Sequence, residues 1–560
     1  MKKKKIGPII IGIFTAVIVL LIGLLGFCTS INIHDEGFWI LIAFTSLVSI
    51  FVSRLACGLK DFGKVIVHVR TGSKGRNKKI TKFNLNFKPY IIPLGILLLM
   101  IIIMFIGSTL FNATAYSSIL TVQDTEFRDD LSESVGTDSI ALMDTDSAKM
   151  LGDREIGSLS NVVSQFNVSD SYTQIDFNGK PIKVSALDYA GFFKWINNRE
   201  TGIEGYVTVD PVSMSASFQK SEGMKYVPSA YFFEDAYRHM WLKYPTTMFG
   251  NVHFEIDEDG NPFYVASVYK KTIALFGGET VDGCIILDPV TGDMEKYALE
   301  DVPVWVDVVF DGDLICRQYN WYGELQNGYL NSIIGKKGCK QVTGYYSDDT
   351  DMEDEVPTVD YGYVSKDNDI WIYTGVTSVN GDSSNIGFLL ANERTGEAHY
   401  YAIAGADEKS AMTAAEGEVQ EKGYQASFPS LINVDNNPTY IMVLKDSGGL
   451  VKLYAAVNVE QYNLVTTATA QEECLSKYKA LLGIGEAEEA PESVDTVEIT
   501  ISSIKYIDID GNTYIYLISD SGAIYKAKAA AHEEMLLLSE GDTVELSYNG
   551  SNIINCKRVK

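Results

Sequence analysis

Three long apolar runs in the first fifth of this chain constrain its fold more than any other feature. They occupy residues 6–27, 38–58 and 90–111. Each has about the twenty residues that an α-helix needs to cross a hydrocarbon core of ~30 Å. We therefore predict three transmembrane helices and assign residues 1–111 to a membrane anchor.

Alternatives exist for the first two runs. A cleaved signal peptide is disfavoured at the first run, which is long and is not followed by an Ala-x-Ala site. A lipoprotein signal at Cys28 is also disfavoured, because bulky Phe27 stands where a small residue is needed. The second run holds Arg54, which leaves a re-entrant or interfacial segment open.

Charge predicts the orientation of the anchor. Four lysines precede the first run, whereas the loop after it contains Asp35 and Glu36. The basic loop, residues 59–89, has nine Lys and Arg and a single acid, Asp61. By the positive-inside rule the amino terminus and this loop are cytoplasmic, and everything after residue 111 lies outside. We interpret the loop as a topology signal; the alternative is a hairpin against anionic lipid.

The two parts of the chain differ sharply in charge. Residues 1–110 contain 14 Lys and Arg against 3 Asp and Glu, whereas the remainder contains 32 against 70. Such a split indicates two environments for one chain. An acidic outer part should be repelled by anionic wall polymers, so we expect a protein or peptide partner besides the lipid bilayer.

The outer part contains a repeated turn pattern. The stretch FEIDEDGNPFYV, residues 254–265, looks like a calcium loop, but with Gly260 at the sixth position the closing twelfth position is Ala266. The same apolar–turn–apolar pattern returns without those acids at residues 175–184, 364–376 and 432–444. We therefore predict a hairpin turn at each place, and no metal site.

A second hairpin pattern follows each copy, at residues 205–218, 283–299, 386–403 and 449–465. Helical spacing at residues 229–244 and 409–422 places a helix before two of the sets. The predicted fold class is a membrane-anchored α+β chain with a β-rich ectodomain of repeated helix-plus-hairpin modules. We divide the ectodomain into modules at residues 112–250, 251–345 and 346–468.

These turns carry a resemblance to known modules. A helix before a small antiparallel sheet whose strands join through Asp-Pro-Val-Thr-Gly, residues 288–292, resembles PepSY-type extracytoplasmic modules. A β-propeller is the main alternative, and we rank it lower because helices intervene between the repeats. The stretches at residues 139–159 and 385–401 also resemble uncharacterised membrane-anchored envelope proteins of Gram-positive bacteria, which implies a location in the cell membrane.

The carboxyl-terminal part reads as a separate unit. A helix at residues 471–482 and an acidic linker, together residues 469–494, lead to residues 495–560, which are predicted as three strands, a short helix and two strands. That order resembles an OB-like barrel, with another small barrel as the alternative. Nucleic acid is not expected as a partner, because the unit has 10 acids against 6 Lys and Arg.

Motifs for catalysis are sparse. Gly-x-Ser-x-Gly and Ser-x-x-Lys patterns are absent, no cofactor is predicted, and His239 and His399 are assigned to packing. Asp144 and Asp146 could be paired catalytic carboxylates, but they more simply cap a helix ending at Gly152.

The cysteines of the outer part are scattered singly. Isolated buried thiols are therefore expected, and a disulfide between two of Cys284, Cys316 and Cys339 is the alternative.

Aromatic residues are the best binding candidates. The 32 tyrosines cluster at several places, among them Tyr361 and Tyr363. Tyr suits half-buried sheet surfaces, but exposed Tyr and Trp also anchor partners. The residues predicted to bind a partner are Trp321, Tyr322, Tyr345 and Tyr346.

The predicted function is a non-enzymatic, membrane-anchored binding or assembly protein of the cell envelope. The alternatives are an envelope hydrolase that uses paired carboxylates and a membrane sensor.

Overall fold

The computed structural model describes most of the chain. The described residues are 6–56, 64–70, 78–84, 88–131, 142–343, 361–379, 384–484, 495–509, 512–528, 532–549 and 552–559. They form two compact units, Met1–Leu475 and Ser476–Lys560.

Two helices in the described residues are long and apolar enough to cross a membrane. They are Ile6–Phe27 and Glu36–Ala56. The third apolar run instead forms Ile91–Ile106 and Thr109–Ser117, which meet at an angle of 52°. This bent pair is either one broken span or a re-entrant segment, so the predicted count of three crossings stays a prediction.

The loop between the two long helices, residues 28–35, lies against the part of the chain after residue 111, which we call the ectodomain after its predicted location. The Trp241 indole N–H donates to the carbonyl of Thr29 at 2.8 Å. The N–H of Ile31 donates to the carbonyl of Pro245 at 2.7 Å. Trp241 also packs in an apolar cluster with Leu24 and Leu41. The ectodomain therefore begins directly at the ends of the apolar helices.

The basic loop contains a hairpin. Strand Lys64–Arg70 pairs antiparallel with Lys78–Asn84. The hairpin left open by the sequence does form; its proposed contact with lipid stays a prediction.

The ectodomain is built from four antiparallel sheets in chain order, each a meander of four main strands. The first sheet contains Thr173–Asp176, Pro181–Ser185, Ile203–Asp210 and Ser215–Met224. The second contains Phe249–Ile256, Pro262–Ile273, Gly277–Leu287 and Met294–Ala298. The third contains Gly362–Lys366, Asp369–Ser378, Gly387–Asn392 and Ala398–Tyr401. The fourth contains Ser430–Val434, Asn437–Lys445, Val451–Asn458 and Val465–Ala468.

Short strands extend these sheets or pair with one another. Val122–Asp124 lies parallel to Ala398–Tyr401 and so joins the segment after the bent pair to the third sheet. The remaining short strands are Phe166–Val168, Leu187–Tyr189, Lys340–Val342, Ser384–Asn385, Gly405–Ala406 and Gln425–Ala426.

All of the predicted hairpins of the two repeated patterns are confirmed by the strand register. The turn at residues 254–265 shows why. The Asp257 carboxylate accepts hydrogen bonds from the N–H groups of Asp259 and Asn261, at 3.0 and 2.8 Å. Gly260 adopts φ 83°, a left-handed conformation that favours glycine. The Asp257 carboxylate thus bonds to the backbone of its own turn.

The helices of the ectodomain cover the sheets. They are Phe127–Asp130, Thr145–Ser158, Ser160–Val163, Phe192–Asn198, Ala236–Lys243, Gly312–Leu325, Glu408–Gly417 and Gln471–Leu481. Single helical turns occur at Lys88–Tyr90, Leu299–Asp301, Asn331–Gly335, Gln420–Lys422 and Glu533–Leu537.

Three predicted helix bounds were wrong. The helix predicted over residues 409–422 ends at Gly417 and is followed by a separate single turn, Gln420–Lys422. The helix predicted from residue 229 begins at Ala236, because Asp235 caps it by accepting from the N–H of Arg238 at 2.8 Å. The helix capped by Asp144 does not end at Gly152 but continues to Ser158. Gly152 lies where the Tyr172 hydroxyl crosses the helix, so it is a packing position and not a terminator.

Neighbouring sheets share apolar cores. One core joins the first and second sheets, another joins the second and third with helix Gly312–Leu325, and a third joins the third and fourth with helix Glu408–Gly417. The fourth sheet contacts the first module through the ion pair between Lys445 and Asp144. Consecutive sheets are thus joined by shared cores, and the fourth sheet is joined to the first module by an ion pair.

The carboxyl-terminal unit is a five-stranded barrel with its own apolar core. Its strands are Asp495–Ile509, Asn512–Ser519, Ile524–Lys528, Thr543–Asn549 and Asn552–Arg558. In the barrel their order is first, second, third, fifth, fourth, and the fourth pairs with the first. The predicted sequence of three strands, a short helix and two strands is confirmed.

The thiols of Cys284, Cys316 and Cys339 are free and buried. The alternative of a disulfide between two of them is wrong, and the expected isolated thiols are found. Burial raises the pKa of Cys284 to about 12, which keeps that thiol protonated.

Candidate functional site

A cleft of about 390 Å³ opens where the first, third and fourth sheets meet the helix capped by Asp144. We call it the cleft. Its walls combine charged, aromatic and apolar side chains, which is the mixture that binding sites use. The lining residues are Leu142, Met143, Asp144, Thr145, Asp146, Gln174, Lys183, Tyr361, Gly362, Tyr363, Met412, Phe428, Pro429 and Ser430.

Lys183 is the most unusual of these residues. It lies on strand Pro181–Ser185 and is only 2% exposed. In the part of the chain that the structure describes, its ammonium group has neither a hydrogen bond nor a salt bridge. The ammonium group lies over the ring of Tyr363, whose centroid is 5.0 Å from Nζ. Burial lowers the pKa of Lys183 to about 8, and the charges of Asp144 and Glu393 oppose that shift.

Tyr361 and Tyr363 form the aromatic wall. Their rings meet edge to face, with centroids 5.7 Å apart, and both side chains are half-buried. Burial raises the pKa of both phenols well above the usual value, so they stay neutral hydrogen-bonding groups. The wall offers flat apolar area and two hydroxyls to a ligand.

Asp144 lies at the rim, and its oxygens are already engaged. One carboxylate oxygen accepts from the N–H of Ser147 at 2.9 Å, as the predicted N-cap does. The other accepts from the ammonium of Lys445. Burial alone would raise the pKa of Asp144, but the hydrogen bonds from Lys445 and Ser147 hold it below the usual value. Its predicted partner in catalysis, Asp146, is exposed in the same turn.

A group of buried carboxyls lies behind Lys183, away from solvent. Glu255 is fully buried and accepts from the N–H groups of Asp307 and Val308, at 2.9 and 3.2 Å. Burial raises the pKa of Glu255 to about 8, against these hydrogen bonds. Burial also raises the pKa of Asp307 and of Glu393 well above the usual value. Oε2 of Glu393 has no partner in the described residues.

These carboxyls are not arranged as a metal centre. Over the ranges that the structure describes, no group of three or more His, Cys, Asp or Glu side chains could hold a metal ion. Burial raises the pKa of these acids and so favours their neutral forms, whereas the charge of Asp144 at the rim opposes the lowered pKa of Lys183. An acceptor or anionic group entering the cleft would add a partner for the Lys183 ammonium.

The residues predicted to bind a partner lie elsewhere. Trp321 and Tyr322 are on helix Gly312–Leu325, both half-buried. The Trp321 ring packs on Tyr116, at 4.8 Å between centroids, next to the bent helix pair. Tyr345 and Tyr346 lie outside the described residues. Neither Trp321 nor Tyr322 lines the cleft, and their binding role stays a prediction.

The histidines have structural contacts, as predicted. His399 pairs with Asp130 at 2.5 Å and with Glu397 at 2.9 Å, and so fixes helix Phe127–Asp130 to the third sheet. His239 packs on Tyr226 and lies 2.8 Å from the carbonyl of Gly292.

Part of the cleft could be identified from the sequence. Asp144, Tyr361 and Tyr363 were predicted as separate features. Lys183 was not predicted, and Glu255 was considered only as the first position of the candidate calcium loop. The available signal was a lone lysine or glutamate inside a strand whose neighbours are apolar, a pattern that solvated residues also produce.

Comparisons with known proteins do not assign a family. No family model matches the chain, and no curated protein matches it significantly. Among solved structures, a mutant of the Synechocystis apocarotenoid oxygenase aligns at 9% identity over 55% of this chain, with a TM-score of 0.17. The alignment spans 62% of the oxygenase, less than two thirds of its length. A likeness this weak carries no argument about fold or function.

Proposed function

We propose that this chain is a membrane-anchored extracytoplasmic protein that binds a protein or peptide partner in the cleft and catalyses no reaction. The observation that carries the proposal is Lys183, a buried cation without a hydrogen-bonding or ionic partner among the described residues. Desolvation of an ammonium group is costly, and a lysine held at the wall of a cleft can regain part of that cost from an acceptor on a ligand.

The chemistry of the cleft suggests what it accepts. The ammonium of Lys183 suits a carboxylate or carbonyl oxygen, and the rings of Tyr361 and Tyr363 suit a flat or apolar group. The exposed Asp146 at the rim suits a basic group. A peptide segment offers all three within one short length. A volume of about 390 Å³ fits one or two residues of such a segment.

Contacts at the membrane support three crossings and the outside location. The loop of residues 28–35 touches the ectodomain, so both are on one side of the membrane. Helix Glu36–Ala56 takes the chain to the other side, and a return requires the bent pair to act as a third span. The basic loop then lies opposite the ectodomain, as the positive-inside rule requires for an outer ectodomain.

We also propose a finer description of the folds. Four consecutive four-stranded meanders in a closed cycle are the way a β-propeller is built, and we favour this over separate PepSY-like modules. The reason is that each sheet shares its core with the next sheet. For the carboxyl-terminal unit, five strands with the helix turn between the third and fourth support an OB-like barrel.

The geometry favours binding over hydrolysis by paired carboxylates. Asp144 is ionised, caps a helix and pairs with Lys445, so it is neither a free base nor an acid with a raised pKa. The neighbouring Asp146 is exposed, where its carboxylate is hydrated.

The test is photo-crosslinking in intact cells. A benzophenone amino acid replaces Tyr363 in one strain and Trp321 in another, and the captured species are identified by mass spectrometry. We expect one recurring protein from position 363. Capture from position 321 alone would move the site to the surface that the sequence predicted. Crosslinks of the chain only to itself at both positions would reject the partner.

A further inference from the structure

A cluster of aromatic side chains protrudes from the ectodomain near the first apolar helix. Phe193 is 78% exposed, and Phe232 and Phe233 are 59% and 64% exposed. Neighbouring rings hold these segments together, because Phe192 packs on Tyr231 and on Phe232, with centroids 5.0 and 6.4 Å apart. We call Phe192, Phe193, Phe232 and Phe233 the aromatic patch. A rigid apolar surface of this kind is unusual on a protein face that meets only water.

The position of the patch relative to the apolar helices is set by Arg238. Its guanidinium donates to the carbonyl of Leu25, in the last turn of helix Ile6–Phe27, at 3.0 Å. It also donates to the carbonyl of Phe232 at 2.6 Å. One side chain therefore bridges the carboxyl-terminal end of an apolar helix and the aromatic patch. The patch thus lies beside the end of a helix that is long and apolar enough to cross a membrane.

A second exposed apolar segment lies beside the bent helix pair. Leu330, Ile333 and Ile334 are 71%, 54% and 80% exposed. Leu330 lines a common cavity with Leu110 and Phe111, the last two residues of the third apolar run. We call residues 330–338 the isoleucine loop. Its apolar side chains continue the apolar surface of that run beyond its last helical turn.

Basic residues accompany the isoleucine loop. Lys336 and Lys337 follow Ile334 within three residues, separated from it by Gly335. Insertion of apolar side chains below lysines that reach the phosphates is the arrangement found at membrane interfaces. Aromatic side chains are likewise favoured at headgroup level.

We propose that the aromatic patch and the isoleucine loop insert into the headgroup region of the outer leaflet that surrounds the anchor. The occupant is the lipid bilayer itself, because both surfaces are continuous with helices whose apolar sides must face lipid. The two contacts lie beside different helices, so together they hold the ectodomain in one orientation on the membrane. This inference is independent of the partner proposed for the cleft.

The test uses the full chain in lipid nanodiscs with fluorine NMR. Trifluoromethyl-phenylalanine replaces Phe193 in one sample and Ile334 in another. The matched control carries it at Tyr462, a 57% exposed residue of the loop before strand Val465–Ala468. Two relaxation agents are compared, a spin-labelled phospholipid and a gadolinium chelate that stays in water.

We expect the signals at positions 193 and 334 to be broadened several-fold more by the spin-labelled lipid than the signal at 462, and less by the chelate. Broadening of all three signals mainly by the chelate would overturn the proposal, because both surfaces would then face water. Protection of positions 193 and 334 from both agents would also overturn it, since a second copy or another protein would then cover them. Thermal unfolding of each labelled protein confirms that it is folded.

Discussion

At the scale of single residues, the most consequential feature of this protein is the burial of ionisable side chains. Lys183 is a cation and Glu255 an acid, and both are almost completely removed from water. Burial moves both pKa values towards about 8, from opposite directions. Each group therefore makes the free energy of unfolding depend on pH, with opposite sign.

Replacing Lys183 by methionine should stabilise the protein and weaken partner binding. The folded-state pKa of Lys183 lies below its unfolded value, so its unfavourable contribution is present below pH 8 and disappears as the pH rises to 10.5. We expect a gain of about 1–3 kcal/mol at pH 7 that shrinks towards pH 10. Urea unfolding of wild type and K183M at pH 7, 9 and 10 measures this. Equal stability of both proteins at pH 7 would show that the cation is solvated.

Replacing Glu255 by glutamine should flatten the pH profile in another window. The folded-state pKa of Glu255 is about 8 and the usual value is 4.5, so its stabilising contribution is complete below 4.5 and is lost as the pH rises to 8. Wild type should therefore lose stability relative to E255Q between pH 5 and 8. Denaturant midpoints at pH 5, 6, 7 and 8 check this, with the exposed-turn variant D259N as control. Parallel curves for wild type and E255Q would contradict the assignment.

The residue-scale chemistry was only partly accessible from sequence. The cap at Asp144 follows from local spacing, since the acceptor is three residues from the donor N–H. Lys183 and Glu255 are buried by residues that lie far from them in the chain, such as Tyr363 against Lys183 and Asp307 against Glu255. Nothing within ten residues of either indicates which strand face will be covered.

The helix Thr145–Ser158 illustrates the scale of single elements, because it contains two glycines in different surroundings. A Cβ added at Gly152 would lie 2.0 Å from the Tyr172 hydroxyl and 3.4 Å from Cγ1 of Val207. A Cβ at Gly157 would meet no atom within 4 Å. One glycine is needed for packing, and the other only adds backbone freedom.

We expect Gly152→Ala to destabilise the protein by about 1–3 kcal/mol, because Tyr172 must move. Gly157→Ala should stabilise it by about 0.5–1 kcal/mol through helix propensity. Thermal or urea unfolding of the two variants gives a direct comparison within one helix. Combining G152A with Tyr172→Phe should recover part of the loss. A stable G152A protein would place the helix differently on the first sheet.

Hairpins were predicted well and some helix ends were not. A hairpin depends on a few adjacent residues, such as the Asp257 side chain and the positive φ of Gly260. The end of a helix depends on what lies across from it. In the sequence Gly152 resembles a helix stop signal, yet the helix continues past it. The glycine is there because the Tyr172 hydroxyl occupies the space that a side chain at position 152 would need.

On the scale of the whole molecule, the fourth sheet is joined to the first module by residues that lie far apart in the sequence. Apolar cores join consecutive sheets, but the first and fourth are far apart in sequence and meet through Asp144 and Lys445. Gly449 lies at the same junction and leaves room for the Met150 side chain, since a Cβ added at position 449 would lie 2.4 Å from Cε of Met150. The packing of consecutive sheets against each other could be expected from their order in the chain, whereas the contact between the fourth sheet and the first module could not.

Breaking the closing ion pair should loosen this junction. Lys445→Met leaves the partly buried Asp144 without its cation, and we expect a loss of about 1–2 kcal/mol. Adding Asp144→Asn, which keeps the helix cap, should recover part of it. Lys452→Met removes a more exposed lysine of the next strand and should have no measurable effect. Equal effects of K445M and K452M would show that the pair contributes nothing to closure.

The central claim, that the cleft binds a partner through Lys183, is tested most directly by the crosslinking yield from position 363 in intact cells. The probe strain is compared with the same strain carrying K183M and with one carrying K180M, which removes an exposed lysine from the same hairpin. We predict that the captured protein is lost in K183M and unchanged in K180M. An unchanged yield in K183M, with the chain folded and at normal abundance, would contradict the account.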